Sequence, residues 1–299
     1  MKSLERHNWR GYAFILPLMI ILGIFVIYSF ILMVQGSFFK TDLMFNRSDF
    51  VGFKYYKIAM TDPYFFKAIL NTMVFASSSV LFGISLGFLF SVFLAFSLSG
   101  SNFYRTLFFV PTLLPNALIA VIFGGMLRFR FGALNEFLGI LGIEPIRWLS
   151  DPTLAYLSIL SISLYMIGIP MMYYQAELAT LDKSLFESAQ IDGAGFWKIT
   201  SRIVFPMVIH SHKTIVMTLL LTAFRAFERV YLLTAGGPAR ATEITGTYIF
   251  TFFAEGGGRN IGYVNTISTI TLVLAFILSA LILTVFNTDF RKNRKVVVK

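Results

Sequence analysis

A chain of 299 residues that is 57% hydrophobic and 17% aromatic, with only 13% of its residues charged, against roughly a quarter in soluble domains, is composed as a membrane protein. Its net charge of +10 is spread over loops and tails without a basic helix for nucleic acid, and suits a tail beside anionic lipid. With no cysteine, disulfides, thiol catalysis and cysteine-ligated metals are excluded.

Six stretches are apolar over the about 20 residues a helix needs to cross a hydrocarbon core, at about 11–33, 70–97, 106–127, 154–176, 214–233 and 264–286. This predicts an all-α, polytopic membrane protein with six transmembrane helices. The first stretch follows Lys2, Arg6 and Arg10 and stays uncharged from Gly11 to Phe39, well beyond the apolar core of about 7–15 residues in a cleavable signal, so it is expected to remain as a span. An even number of spans puts both ends on one side. The C-terminal tail is also basic, with Arg291, Lys292, Arg294, Lys295 and Lys299, and the positive-inside rule then predicts that both ends are cytoplasmic. With tails and loops counted together the bias is weaker, 13 Lys and Arg on the predicted inside against 10 outside, so this orientation rests on the tails. Residues 1–69 are read as tail, first span and external loop, about 70–290 as the membrane core, and 291–299 as the basic tail.

Span two opens on Asn71-Thr72, Arg105 precedes span three, Pro111 and Pro115 lie within span three, and Pro170 lies within span four. Proline removes a helix hydrogen bond and bends the helix, which in a membrane requires packed neighbours or a wet cavity. Such helices suit a bundle around a path, or simply a kink that improves packing.

The inside segment from Leu181 to Pro206 is mixed in polarity and heavily punctuated for a linker. Ser184 followed by Glu187 fits a capping box that starts a short helix, and Gly193 can take the left-handed conformation that ends it. Phe196, Trp197, Ile199 and Ile203 then offer apolar groups to a second helix, and small Ala189 and Ala194 permit close approach. The expectation is a helix, a turn and a helix at the cytoplasmic face, with the docking part at about 184–198.

Span five carries charges in its interior, Arg225, Glu228 and Arg229. Isolated charges there cost at least about 2.5–3.5 kcal/mol each, so they should face protein or water. Arg225 and Arg229 are one turn apart and are expected to share a face. Two readings stay open: an Arg225–Glu228 ion pair with Arg229 reaching outward, or a face on a solute path, where an unmatched arginine favours an anion. After span five, Gly236-Gly237-Pro238 reads as a tight external turn or as a contact for an external partner.

Motifs for chemistry are missing. No G-x-x-x-x-G-K-[ST] loop occurs, and the run Gly256-Gly257-Gly258 lacks a following lysine, so the chain is not expected to hydrolyse ATP. Beyond His7 there are only His210 and His212, too few for a histidine metal site.

The stretch Glu187-Ser188-Ala189-Gln-Ile-Asp192-Gly193-Ala194, continuing to Ile203 and Pro206, resembles the E-A-A-x-x-D-G-A motif of binding-protein-dependent ABC importer permeases. Ser188, Thr200 and His210 depart from it. Asn71-Thr72, Arg105 with Pro111, and Thr234-Ala-Gly-Gly-Pro238 with Thr242 extend the resemblance over roughly 70–286, and the last group is similar to the branch for maltose, multiple sugars and glycerol phosphate. The resemblance implies a permease in a bacterial inner or cytoplasmic membrane that pairs with a second homologous permease, two ATPase subunits and an extracytoplasmic substrate-binding protein. ATP and Mg would bind the ATPase subunits and no cofactor this chain. The 184–198 segment would be the coupling helix, seated in an ATPase cleft. Alternatives are an importer permease for amino acids or peptides, and an ion-gradient-driven secondary transporter, which would work without an ATPase. A membrane-embedded transferase is disfavoured by the lack of clustered acidic residues.

Overall fold

The computed structural model describes residues 9–41, 47–96, 100–182, 184–254 and 260–297; Lys2, Arg6, Lys299 and the glycine run 256–258 lie outside them. Helix dominates because, in lipid, a backbone N–H or C=O must find its partner within its own segment. Among the described residues four helices are long and apolar enough to cross a membrane: Tyr12–Gly36, Pro63–Ala95, Pro152–Leu178 and Ile261–Phe286. Two more spans exist only as bent pairs, Ser101–Leu113 with Asn116–Met126, bent by 101°, and Phe196–Met207 with Ile209–Phe224, bent by 71°. Counting each pair once gives the six predicted spans, named one to six in chain order.

The prolines do more than kink span three. Val110–Leu113 is a 3-10 turn, and Leu114 and Pro115 are extended, with ψ of 139° and 143°. A residue before proline is driven out of the helical region, so Pro115 restarts the chain in a new direction. In span four the irregular stretch is the 3-10 turn Ser163–Ile167, where Pro170 offers no N–H to the Met166 carbonyl one turn back. Span five differs most from the expected 214–233. Its helix begins at Ile209 and stops at Phe224, Arg225 and Ala226 interrupt it, and Phe227–Thr234 is a separate short helix.

The described residues form two compact units. The first comprises 1–62 and 249–273. Span one presents its apolar side chains outward, Phe14 and Phe25 being 87% and 71% exposed, as a lipid-facing helix would. The predicted external loop holds an antiparallel hairpin, Phe39–Thr41 against Arg47–Phe50, and a helix, Lys54–Thr61. Ser37 Oγ and Tyr56 Oη lie 2.7 Å apart, Thr266 Oγ1 donates to the Ser37 carbonyl at 3.2 Å, and Tyr263 Oη donates to Asp62 Oδ2 at 3.2 Å.

The second unit comprises 63–248 and 274–299. Span two faces span four with small residues spaced by four, Ser79, Gly83, Gly87 and Ser91, which share one helix face. A Cβ on Gly87 would lie 2.8 Å from Pro170 Cβ, and one on Gly83 would meet Leu219 and Pro170. Ser79 Oγ donates to Ser163 Oγ at 3.0 Å and Ser91 Oγ to the Met171 carbonyl at 2.9 Å. Such a small-residue stripe lets two membrane helices approach closely. On either side lie two apolar cores, one holding Phe75, Ile159, Leu220 and Val230, the other Phe88, Val92, Tyr174, Leu178 and Val208.

Candidate functional site

The element at 184–199 is built on the second of those cores. Its helix, Ser184–Ile191, begins on Asp182 instead of the expected capping box. Asp182 Oδ1 accepts the Ser184 N–H at 3.0 Å, which places Ser184 inside the helix, where it cannot cap. The Ser184 backbone N–H and then its hydroxyl, both donating to the carboxylate, draw the Asp182 pKa below its ordinary 3.8. The end is as predicted: Gly193 has φ +78°, the Gly193 N–H donates to the Gln190 carbonyl at 3.0 Å, and the Ala194 N–H to that of Ala189 at 2.9 Å. These paired bonds are a Schellman cap, which needs the left-handed residue that glycine supplies without strain.

One face of this short helix belongs to the membrane core. Phe186 and Ala189 are 6% and 8% exposed and pack with Phe88, Val92, Leu178 and Val208. Ala194 and Ile203 are half-buried against the same cluster. The opposite face is open: Glu187, Ser188, Asp192 and Gly193 are exposed, Ile191 is 86% exposed, and a Cβ on Gly193 would meet nothing within 4 Å; Pro206, in the short helix Phe205–Met207, is exposed as well. The expected second helix is a single turn, Phe196–Ile199, running into a π-helical turn, Thr200–Val204, just before Pro206. Phe196 stacks on Phe93 at 5.1 Å, while Trp197 remains 65% exposed. Sequence reasoning missed Glu177, whose Oε2 accepts the Ser211 N–H at 2.9 Å and ties the end of span four to the start of span five.

The three charges do not share a face. Arg225 and Glu228 are exposed and Arg229 is 2% exposed, because the break at Arg225–Ala226 cancels the helical spacing from which a common face was predicted. The Arg225–Glu228 ion pair is not formed, and Arg229 points inward; Glu243 instead pairs with Arg240 at 3.7 Å.

The loop after span five is held from within. The Gly237 N–H donates to the Thr234 carbonyl at 2.8 Å, Thr242 Oγ1 to the Gly237 carbonyl at 2.7 Å, and the Thr234 and Thr242 hydroxyls lie 2.7 Å apart. Gly236 is buried, Gly237 and Pro238 half-buried. Asn71 Nδ2 donates to the carbonyls of Ala241 and Glu243 at 3.0 and 2.8 Å, and the Thr245 N–H donates to Thr72 Oγ1 at 3.0 Å. The Asn71-Thr72 pair at the head of span two thus anchors this loop, and tight-turn chemistry accounts for Gly236-Gly237-Pro238.

No family model matches the chain. It is 30% identical over 275 residues to the trehalose/maltose transport system permease protein MalF of Thermococcus litoralis, covering 89% of this chain and 90% of that one. It is 29% identical over 283 residues to the probable ABC transporter permease protein YurN of Bacillus subtilis, covering 93% and 96%. Its fold is that of a chain in a bacterial ABC transporter involved in the import of the acidic polysaccharide alginate, with TM-score 0.83 at 22% identity over 94% of this chain and 96% of that one. A chain of the alginate transporter in complex with alginate pentasaccharide-bound periplasmic protein matches with TM-score 0.79, 22% identity and coverage of 92% and 93%.

Proposed function

Since the chain belongs to the ABC transporter permeases of the sugar-importer branch, a family of multi-pass membrane transport subunits, we propose that it forms half of a translocation path for a sugar or sugar derivative. A second permease supplies the other half, two ATPase subunits bind ATP and Mg and hydrolyse the ATP, and an extracytoplasmic binding protein delivers the solute. Both tails lie in the cytoplasm of a bacterial cell membrane. The relatives' names support the solute class, and the alginate transporter's periplasmic protein supports delivery by a separate carrier.

The observation that carries this reading is the two-faced element at 184–199. Its inner face is continuous with the core of spans two, four and five, and its capped outer face is exposed, so force applied from outside reaches the membrane helices through packed side chains. Glu187, Ser188, Asp192, Gly193 and Pro206 offer the outer surface to the ATPase. Ala189, Ala194 and Ile203 seat the element on its own chain. Arg225 and Glu228 are open to solute, and we extend that path to Arg229 only as the residue that supports it.

The test is reconstitution of the complete transporter carrying Gly193→Val. The left-handed conformation costs a β-branched residue roughly 1 kcal/mol or more, and the added bulk enters open space where the ATPase would sit. Membrane insertion should persist, while ATPase association, stimulated hydrolysis and uptake all fall. Asp192→Ala should lose less. Normal assembly, hydrolysis and uptake in Gly193→Val would refute the coupling role.

A further inference from the structure

Three spans are interrupted where one polar chain runs. Span three breaks at Leu114–Pro115, span four tightens at Ser163–Ile167, and span five stops at Arg225–Ala226. Each interruption has one side chain of the polar chain within it or in the first turn of the helix that follows, Arg229 lying in Phe227–Thr234. Arg229 Nη1 donates to Tyr165 Oη at 3.4 Å, and Tyr165 Oη donates to Asn116 Oδ1 at 3.3 Å. Asn116 is the first helical residue after Pro115, and Tyr165 lies inside the 3-10 turn.

Arg229 is otherwise held by neutral groups. Nη1 donates to Met166 Sδ at 2.9 Å, and the guanidinium carbon lies 5.6 and 5.9 Å from the ring centres of Phe75 and Tyr165. Nε is buried without a hydrogen-bond partner, and among the described residues no carboxylate forms an ion pair with this cation. The space beside it, lined by Phe75, Ile159, Ile162 and Val230, has no room for a water-sized sphere. A side chain enclosed in this way cannot touch solute. A guanidinium buried with no ion pair, Glu228 acting on it only from a distance, weakens the fold, a cost that persists where the geometry serves something else.

We propose that Arg229 is a positioning residue that, through Tyr165 and Asn116, holds the interruptions of spans three, four and five in one register, leaving solute contact in this region to the exposed Arg225 and Glu228. The proposal rests on the permease reading above. If the interruptions are the flexible points of the path, loosening the chain that joins them impairs the conformational cycle and not the capture of loaded binding protein.

The experiment measures uptake in proteoliposomes holding the full transporter, varying the concentration of loaded binding protein. Arg229→Met should lower maximal uptake at least about tenfold while the half-saturating concentration stays within about twofold, the pattern of an interaction needed for turnover and not for binding. Arg229→Lys, which keeps a cation and a donor for Tyr165, should recover part of the rate. Tyr165→Phe should move in the same direction, and the double variant Arg229→Met/Tyr165→Phe should be no worse than Arg229→Met alone, since both act on one chain. A raised half-saturating concentration at intact maximal rate, wild-type behaviour, or full additivity would overturn the proposal. Where Arg229→Met does not assemble, Tyr165→Phe, which leaves the charge in place, decides by the same two parameters. Loss of function in Gly193→Val with none in Arg229→Met would leave the docking reading standing and overturn this one.

Discussion

At Asp182 a single carboxylate starts the helix Ser184–Ile191, proposed above as the docking helix, and its lowered pKa ties that start to pH. The folded carboxyl holds its proton less tightly than the unfolded one, so its stabilising contribution is complete above the ordinary value of 3.8 and is lost as pH falls through the lower folded value. Asp182→Asn keeps an acceptor for the Ser184 N–H and does not titrate. Amide exchange at Ser184 and Leu185 should therefore accelerate on acidification below 3.8 in the wild-type chain beyond the intrinsic exchange rate, and not in Asp182→Asn. An equal response in both would place the pH sensitivity elsewhere. Asn71 shows the same economy in another form, one side-chain amide satisfying two carbonyls of the loop after span five.

Among elements, the contact between spans two and four leaves no room for a side chain at Gly87 of span two. Gly87→Ala puts a methyl group 2.8 Å from Pro170 Cβ, and overpacking of this kind costs about 1–3 kcal/mol. Gly125, also helical, has nothing within 4 Å of its Cβ position, so Gly125→Ala should gain roughly 0.5–1 kcal/mol from helix propensity alone. Thermal unfolding in one detergent should show the two alanines moving the midpoint in opposite directions; a rise in both would show that the stripe is slack, and a fall in both that Gly125 is not free.

Much of the architecture is legible in the sequence. Spans one, two, four and six are continuous apolar runs, and hydropathy finds those. The docking helix is visible in its glycine stop, but Asp182 and Ser184 both qualify as its start and only coordinates separate them. The stripe Ser79, Gly83, Gly87, Ser91 carries its signal in its spacing, which a search for apolar runs passes over. Spans three and five are misdrawn by hydropathy because an average over a window passes through a break. That is also why the sequence assigns Arg225 and Arg229 to one face: helical periodicity holds only while the helix continues, and the interruption at Arg225–Ala226 rotates the short helix beyond it.

For the whole molecule the testable statement is which side each face meets. The chain contains no cysteine, so single cysteines report without background. Ser188 and Ala239 are both exposed, one on the docking helix and one on the loop after span five. In intact cells an impermeant thiol reagent should label Ala239→Cys and spare Ser188→Cys; labelling of both, or of Ser188→Cys alone, would overturn the orientation proposed above. The exposed apolar side chains of the 184–199 element also bear on how the protein must be handled. Ile191 and Trp197 stand 86% and 65% exposed, and each large apolar side chain left in water forgoes about 1.5–3 kcal/mol of transfer free energy. An extracting amphiphile can cover those same two side chains. On the coupling reading proposed above, micelles and the ATPase would be rivals for these two side chains, and an affinity measured in detergent should understate the affinity in a bilayer, where the lipid stays at its own depth.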